Sequence, residues 1–459
     1  MYHHNMRIHF VGCGNQHVSG LALLLHARGF TVSGCDPHMN NPILRQLDAH
    51  GCTIYHHDDT NHLNSADVVV YAPGMSGRHP KLQAARAANI PTIPSGQLLA
   101  EAIGHSYAIA VSGTHGKTMT AALIGHIMRE NRWNPTVITP YLMRNGNQQF
   151  YNGASEWSVA TARLSDGSLQ SIRPTVAIVT NLAHQPAPDA HTTASEPFVH
   201  LLQSLPFYGT AVLCHDDTPA RELRRYKPTQ TLTYGLSAHS HVRGHIVHLN
   251  GDHSIFNISD KENGLLGSIR LPLPGSHNVT HALGAIAVCH YILSIPFEHI
   301  QKALGRFRGI ARHFEYVGSY NKARVVDDCA AHPVQVDATL LATRGGNHQK
   351  LHVVFQPNSP AIIKKEWDAF IAVFVKHQSQ ISSIHIAPID AESDNTEKSL
   401  NAEQFAADLS DATKKISLFC YQEIDEVADS LKSIVEPGDL ILIMGAGSVA
   451  AVAPALTKK

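Results

Sequence analysis

The chain lacks the features that mark several common classes of protein. Its seven cysteines (Cys13, Cys35, Cys52, Cys214, Cys289, Cys329 and Cys420) are odd in number, far apart and never spaced as CxxC. That excludes a disulfide framework and predicts free thiols in a reducing cytoplasm. No apolar run approaches the roughly 18 residues of a membrane span, and the polar residues 1–9 do not read as a signal peptide. Charge of one sign is missing as well: 36 basic against 37 acidic side chains leave a net charge of −1. Nothing in that balance points to nucleic acid or to an anionic membrane. Internal repeats and low-complexity linkers are absent, and residues 390–402 read as a solvated loop. Histidine is in excess, at 33 residues. No pair has metal-ligand spacing together with a third ligand, so most read as surface polar residues. They make the charge sensitive to pH between about 5 and 8.

What is present is apolar content of 43% in a chain of 459 residues, enough for about three domains with sizeable cores. The chain is organised around residues 108–124, Ala-Ile-Ala-Val-Ser-Gly-Thr-His-Gly-Lys-Thr-Met-Thr-Ala-Ala-Leu-Ile. The apolar run 107–111 predicts a buried strand, Gly113 and Gly116 a tight turn, and the helical apolar spacing of 121–128 a helix. A strand, a glycine turn and a helix N-terminus direct backbone N–H groups at one point, and that geometry attracts phosphate. Lys117 can reach the outer phosphates of a nucleotide, and the Thr118 hydroxyl can ligate magnesium. Val111 stands where the strict phosphate-loop pattern has its first glycine, so Gly-Thr-His-Gly-Lys-Thr is a shortened form. The alternative is an ordinary strand-to-helix turn with an exposed lysine.

Earlier in the chain, Arg-Ile-His-Phe-Val-Gly-Cys-Gly at 7–14 is a short strand entering a turn at Gly12 and Gly14. A helix at 19–28 and a strand at 30–34 ending at Asp36 complete a βαβ unit of dinucleotide-binding type. His17 stands where the third glycine of GxGxxG belongs, so the motif alone leaves open a unit of this type with no ligand. Residues 67–71 give a further strand, and 93–99 close a first domain near residue 105. After the phosphate loop, 157–162, 176–180 and 208–213 read as strands, and 232–273 as a small antiparallel region. Pro-Gly-Ser-His-Asn at 274–278 opens an apolar helix over 282–292, followed by a helix at 297–304. Residues 307–318 read as the crossing into a third domain, with strands at 325–328, 352–356, 383–387, 417–420 and 439–444. The last runs into Gly-Ala-Gly-Ser at 445–448. Alternation of this kind predicts an α/β fold of mostly parallel sheets with helices on both faces.

These stretches, in this order, resemble the Mur ligase family over almost the whole chain. The carriers are residues 12–22, 113–120, 165–168, 179–181, 274–278, 307–318, 327–333, 355–357 and 445–447. Within the family the branch that joins L-alanine to UDP-N-acetylmuramate is nearest and the murein-tripeptide branch second. The resemblance implies a three-domain architecture: a Rossmann-like domain at 1–105 for the UDP-sugar, a P-loop domain at 106–310 for ATP, and a Rossmann-like domain at 311–459 for the amino acid. It implies cytoplasmic synthesis of peptidoglycan precursors, in which ATP converts the sugar's carboxylate to an acyl phosphate that an amine then attacks. Carried over residue by residue, it assigns Gly113, Thr114, His115, Gly116, Lys117, Thr118 and Thr120 to ATP and its Mg2+, with Thr118 as metal ligand. His277, Asn278, Arg312 and Asp328 fall beside the nucleotide. Gly12, Gly14, Ser19, Asp36 and Ser165 fall beside the sugar nucleotide. Lys117, Arg312 and His332 carry the chemistry.

The departures from the family pattern cluster on chemistry. Thr161 stands in place of a magnesium-ligating glutamate, Arg163 in place of an acid, and Pro186 in place of a metal-binding histidine that His184 and His191 do not replace in register. His313 replaces the second arginine of a pair, Cys329 a tyrosine and Ala331 a histidine, and Asn358-Ser359 stand where the family has His-Arg. Two readings follow. One is an active ligase with an altered metal site, in which Arg163 substitutes electrostatically for a metal at the γ-phosphate. The other is a catalytically impaired paralogue that keeps ATP or UDP-sugar binding and serves as a binding or regulatory protein.

Overall fold

The computed structural model describes residues 6–39, 41–56, 61–146, 148–182, 195–226, 230–357, 360–389, 402–413 and 416–457. Pro186, His184, His191, Asn358, Ser359 and almost all of the expected loop at 390–402 lie outside these residues. The strands form three separate sheets, as the sequence predicts for an α/β chain.

The first sheet holds β1 (Arg7–Val11), β2 (Thr31–Cys35), β3 (Thr53–Tyr55), β4 (Val68–Tyr71) and β5 (Thr92–Pro94) in the order 3-2-1-4-5. All neighbours are parallel. Strand order reverses between β1 and β4, so a crevice opens at the carboxyl end of β1, where the Gly12 turn lies. Residues 93–99 divide between the end of β5 and the helix Ser95–Ile103.

The second sheet has ten strands. They are β6 (Tyr107–Ser112), β7 (Thr136–Met143), β8 (Gln148–Tyr151), β9 (Trp157–Thr161), β10 (Val176–Val179), β11 (Thr210–Cys214), β12 (Thr231–Gly235), β13 (Val242–Leu249), β14 (Ser254–Asp260) and β15 (Gly264–Leu271). Their order is 15-14-13-12-11-10-6-9-7-8. The phosphate-loop strand β6 runs parallel between β10 and β9. The region 232–273 differs from expectation. It extends this same sheet, and its first pairing, β12 on β13, is parallel. Alternation marks a sheet with one solvated face, and it carries no information on strand direction. The third sheet holds β16 (Glu315–Tyr320), β17 (Ala323–Asp328), β18 (Leu351–Phe355), β19 (Ser383–Ile386), β20 (Ser417–Cys420) and β21 (Leu440–Met444) in the order 16-17-21-18-19-20. Only β16 is antiparallel to its neighbour.

The chain forms two compact units. The first two sheets belong to one, and the third sheet, with short pieces from 248–254 and 272–277, to the other. The first unit is joined by the helix Gln16–Ala27, which buries eight consecutive residues from Val18 to Leu25. A helix apolar all round must be covered all round. Here Gly20 lets it approach the backbone of Thr139 in β7, Ser19 Oγ donates to Gln149 Oε1 in β8 at 2.9 Å, and Arg28 donates to the Ala102 carbonyl at 2.6 Å. One apolar cluster accordingly runs from Phe10 and Leu24 to Ala110 and Ala160. Among the described residues no helix is long and apolar enough to cross a membrane.

Five histidines depart from the surface role expected of most of them. His9, His126, His352, His377 and His385 are buried, each hydrogen-bonded. In the third sheet two of them form a chain of hydrogen bonds. The Asp439 carboxylate accepts from the Lys350 and Glu436 amides and from His352 Nε2 at 3.1 Å. Ser383 Oγ bridges His352 Nδ1 at 2.7 Å and His385 Nε2 at 2.9 Å. His385 Nδ1 pairs with the Tyr421 hydroxyl at 2.7 Å, which itself donates to Ser430 Oγ at 2.6 Å. Burial, with His352 adding to it, pushes His385 down to about 3. A pKa lowered on folding contributes stability above the unfolded value near 6.5 that is lost as pH falls toward the folded value, by at most about 1.4 kcal/mol per pH unit. Hydrogen exchange of the β18 and β19 amides is therefore expected to accelerate from pH 6.5 to 4.5 beyond the intrinsic rate change. His385→Leu flattens that dependence, and it lowers stability at pH 7.5 by about 1–3 kcal/mol because Ser383 and Tyr421 lose partners.

Candidate active site

The phosphate loop leaves β6 with two glycines at positive φ, Gly113 at +127° and Gly116 at +79°. Neither has room for a Cβ: at Gly113 it would strike Thr180 and Asn181, and at Gly116 the His281 ring. The next strand over, β10, clamps the loop. Asn181 accepts from the Thr114 amide through its carbonyl and from the His115 amide through Oδ1, both at 2.9 Å. Its Nδ2 donates to the His115 carbonyl at 3.1 Å, and Thr180 Oγ1 donates to the same carbonyl at 2.6 Å. Thr180, Asn181 and His281 shape the loop, and the sequence singles out none of them for that task. The signal was indirect: two glycines three residues apart imply neighbours that exclude a side chain.

The helix Lys117–Glu130 begins at this loop with no side-chain cap on its first N–H groups, which leaves them directed at whatever lies over the turn. Thr114 Oγ1 is buried and without a partner. Lys117 folds over the loop and donates from Nζ to the Gly113 and Thr114 carbonyls at 2.7 and 2.8 Å. Burial pushes its ammonium down to about 7, with Arg163 adding to the shift and Asp166 opposing it. The donor-rich turn, the orphaned hydroxyl and the poised lysine fit a nucleotide phosphate chain. Thr120 lies one turn further on, fully buried.

Beside the loop, β9 ends at Thr161 and delivers Arg163 to Thr118. Arg163 donates from NH2 to Thr118 Oγ1 and from Nε to Thr161 Oγ1, both at 3.4 Å, and from NH1 to His17 Nε2 at 2.9 Å. No group of three His, Cys, Asp or Glu side chains suited to a metal occurs among the described residues. Thr118 with phosphate oxygens fits the magnesium that accompanies ATP. Among the described residues a second, protein-held ion lacks its carboxylate. Asp166 is committed to Ser168, whose Oγ and amide it accepts at 2.5 and 2.8 Å. Ser165 is exposed nearby.

In the first sheet, Gly12 turns at φ +78° and the Gly14 amide donates to Asp36 Oδ2 at 2.9 Å. Asp36 thus braces the turn, and Asn15 caps the helix that follows. Ser19 is directed elsewhere: it is fully buried and bonded to Gln149.

Of the remaining assigned residues, Arg312, Asp328, His277 and His332 belong to the unit of the third sheet and Asn278 to the first unit. Arg312, at φ +58°, grips Asp327 from Nε at 2.9 Å and NH2 at 3.3 Å, and NH2 also donates to the Gly445 carbonyl at 2.6 Å. Burial raises the Asp327 carboxyl and Arg312 opposes it. Asp328 accepts from the Phe314 and Ala330 amides at 2.7 and 2.8 Å. His277 is pushed down to about 4 by burial and by His313. His332 caps the helix Pro333–Thr343. Asn278 is buried in the helix Ser276–Ile286.

Three family models match the chain in series. They are the Mur ligase family, catalytic domain, over residues 7–107, the Mur ligase middle domain over 111–289, and the Mur ligase, glutamate ligase domain over 312–447. The UDP-N-acetylmuramate–L-alanine ligase of Desulforapulum autotrophicum is 34% identical over 452 residues, covering 98% of this chain and 97% of that protein. Among solved structures, the UDP-N-acetylmuramate-alanine ligase of Thermotoga maritima superposes with a TM-score of 0.83 at 20% identity, covering 98% of each chain. A murein peptide ligase of Psychrobacter arcticus superposes at 0.73 and 22%, covering 99% of each. With its three sheets in this order and end-to-end similarity at this level, the chain belongs to the Mur ligase family.

Proposed function

We propose that the chain is an ATP-dependent ligase that joins L-alanine to UDP-N-acetylmuramate in the cytoplasm, a step of peptidoglycan precursor synthesis. The observation that carries this reading is similarity along 98% of the chain to a protein of that name, in a sequence whose phosphate loop keeps both glycines, Lys117 and Thr118. No comparison favours the binding-only alternative.

In this reading residues 1–105 receive the sugar nucleotide at Gly12 and Gly14, with Asp36 bracing the turn. Residues 106–310 hold ATP, and residues 311–459 receive the amino acid. ATP, with its magnesium, supplies the phosphoryl group that activates the sugar's carboxylate. The backbone N–H groups at the start of the helix Lys117–Glu130 and the Lys117 ammonium bind the outer phosphates, and Thr118 supplies an oxygen to the metal. By the family resemblance Arg312, Asp328, His277 and Asn278 serve nucleotide binding, and His332 serves the reaction from the start of its helix. The protein's task is positioning and charge neutralisation, the main terms in phosphoryl transfer.

Formation of ADP and phosphate is expected to require UDP-N-acetylmuramate and L-alanine together, at a rate of order 1 per second. Consumption of ATP without an L-alanine adduct in mass spectrometry is the result that overturns the assignment. Lys117 gives a second expectation. Free, its ammonium sits at about 7; beside phosphate the charged form is favoured and the pKa rises. Nucleotide binding at pH 8 is therefore expected to take up most of a proton, and at pH 6 almost none. Calorimetry in buffers of different ionisation enthalpy measures this uptake, and Lys117→Ala removes it while weakening binding.

A further inference from the structure

We propose that the Arg163 guanidinium provides, at the phosphoryl group being transferred, the positive charge that a carboxylate-held metal ion provides in the family pattern, with His17 as the residue that positions it. The proposal rests on the ATP-dependent reading of the loop.

Placement comes first. β9 is the parallel neighbour of β6, with Val111 opposite Thr161, and the Ala162 amide donates to the Val111 carbonyl at 2.9 Å. The residues that leave β9 therefore emerge beside those that leave β6. The backbone of Arg163 is tied down on both sides: its amide donates to Ser168 Oγ at 2.8 Å, and its carbonyl accepts from the Leu169 amide at 2.9 Å. Ser168 is held in turn by Asp166. The side chain then reaches Thr118, the hydroxyl that stands next to the outer phosphates in a loop of this kind. Its contacts to Thr118 and Thr161 are long, at 3.4 Å, so a phosphate oxygen offers it a much stronger partner.

The donor set comes second. Magnesium requires oxygen ligands. Where the family pattern has carboxylates, this chain has the neutral Thr161 hydroxyl and a cation. Coulomb repulsion from a fixed guanidinium disfavours a second divalent ion at the same place. The same repulsion falls on Lys117.

His17 comes third. A guanidinium only donates, so His17 Nε2 accepts, and the imidazole is neutral with its proton on Nδ1. Burial, Arg163 and Lys117 all act against its charging. The residue that breaks the third glycine of the first-sheet turn is thus the acceptor that aims Arg163. One guanidinium spans the turn of the first sheet and the phosphate loop of the second.

In the transfer, a carboxylate oxygen of the sugar forms a bond to the γ-phosphorus as the bond to the β–γ bridging oxygen breaks. The electron pair leaves with ADP, and no proton moves. Arg163 donates to oxygens that gain charge in that step, a contribution of the size of an arginine finger, roughly 10³-fold or more in rate.

The test uses the full chain and a non-hydrolysable ATP analogue, with Mn2+ counted by electron paramagnetic resonance and affinity by calorimetry. Wild type is expected to hold one Mn2+ per chain with the analogue. Arg163→Ala is expected to lose 10- to 100-fold in analogue affinity and about 10³-fold in ligation, while Arg163→Lys retains most of the affinity. Thr161→Glu with Arg163→Asp is expected to bind a second Mn2+. His17→Gly is expected to lower kcat with little change in the analogue's affinity. Two Mn2+ per wild-type chain, or an Arg163→Ala chain within twofold of wild type in affinity and rate, overturns the proposal while leaving the ligase assignment intact. Arg163-dependent analogue binding in a chain that ligates no L-alanine supports the proposal and overturns the assignment instead.

Discussion

Two residues of backbone at positive φ govern the first unit. Gly113 and Gly116 turn the chain out of β6 and into a helix within four residues, and each is pressed by a neighbour that leaves no space for a Cβ. Thr180 and Asn181 answer the turn's own amides and carbonyls, so the N–H groups that begin the helix remain directed outward. The strand order follows from this need. The loop can be clamped only from a parallel neighbour whose carboxyl end lies at the same level, and β10 and β9 supply both flanks. One delivers the clamp and the other delivers Arg163.

The parts of the fold that the sequence made legible are those with a periodic or a conformational signal. Buried parallel strands such as β6, β10, β18 and β21 are continuous apolar runs, and Gly12, Gly113 and Gly116 mark the turns that follow strands. Strands β3, β5 and β8 were not legible because three or four residues carry little periodicity, and β7 because Pro140 interrupts it. The direction of β12 and β13 was not legible either, since alternation reports which faces are wet and says nothing of strand polarity. The site was legible at Lys117 and Thr118, where spacing and chemistry coincide. His281 and Asn181 had no such signal, because their role is steric or local and appears only once the loop is folded. Ser19 illustrates the reverse. A hydroxyl beside a glycine turn looks poised for a ligand, yet helical phase directs it into the seam with β8.

The histidines carry a similar lesson. Their abundance suggested a solvated surface, and two of the buried ones, His352 and His385, are bonded at both ring nitrogens. An imidazole has one donor and one acceptor when neutral, so a series of them with hydroxyls between can span a sheet without leaving an unsatisfied atom. Asp439 ends the series as a group that only accepts. In the phosphate-loop region His17 is bonded at one end only: Nε2 accepts from Arg163, and Nδ1 is buried without a partner.

The helix Gln16–Ala27 has a bearing on how such a chain can be divided or recombined. Its buried run from Val18 to Leu25 is covered by two sheets that belong to successive family models. The boundary between those models is therefore a boundary of ancestry more than of folding. A fragment ending near residue 105 would present to water the apolar flank that β7 and β8 cover, and a chimaera joined there would need a foreign helix to match both partners at once. In this chain the Gly12 turn and the phosphate loop fold as parts of one compact unit.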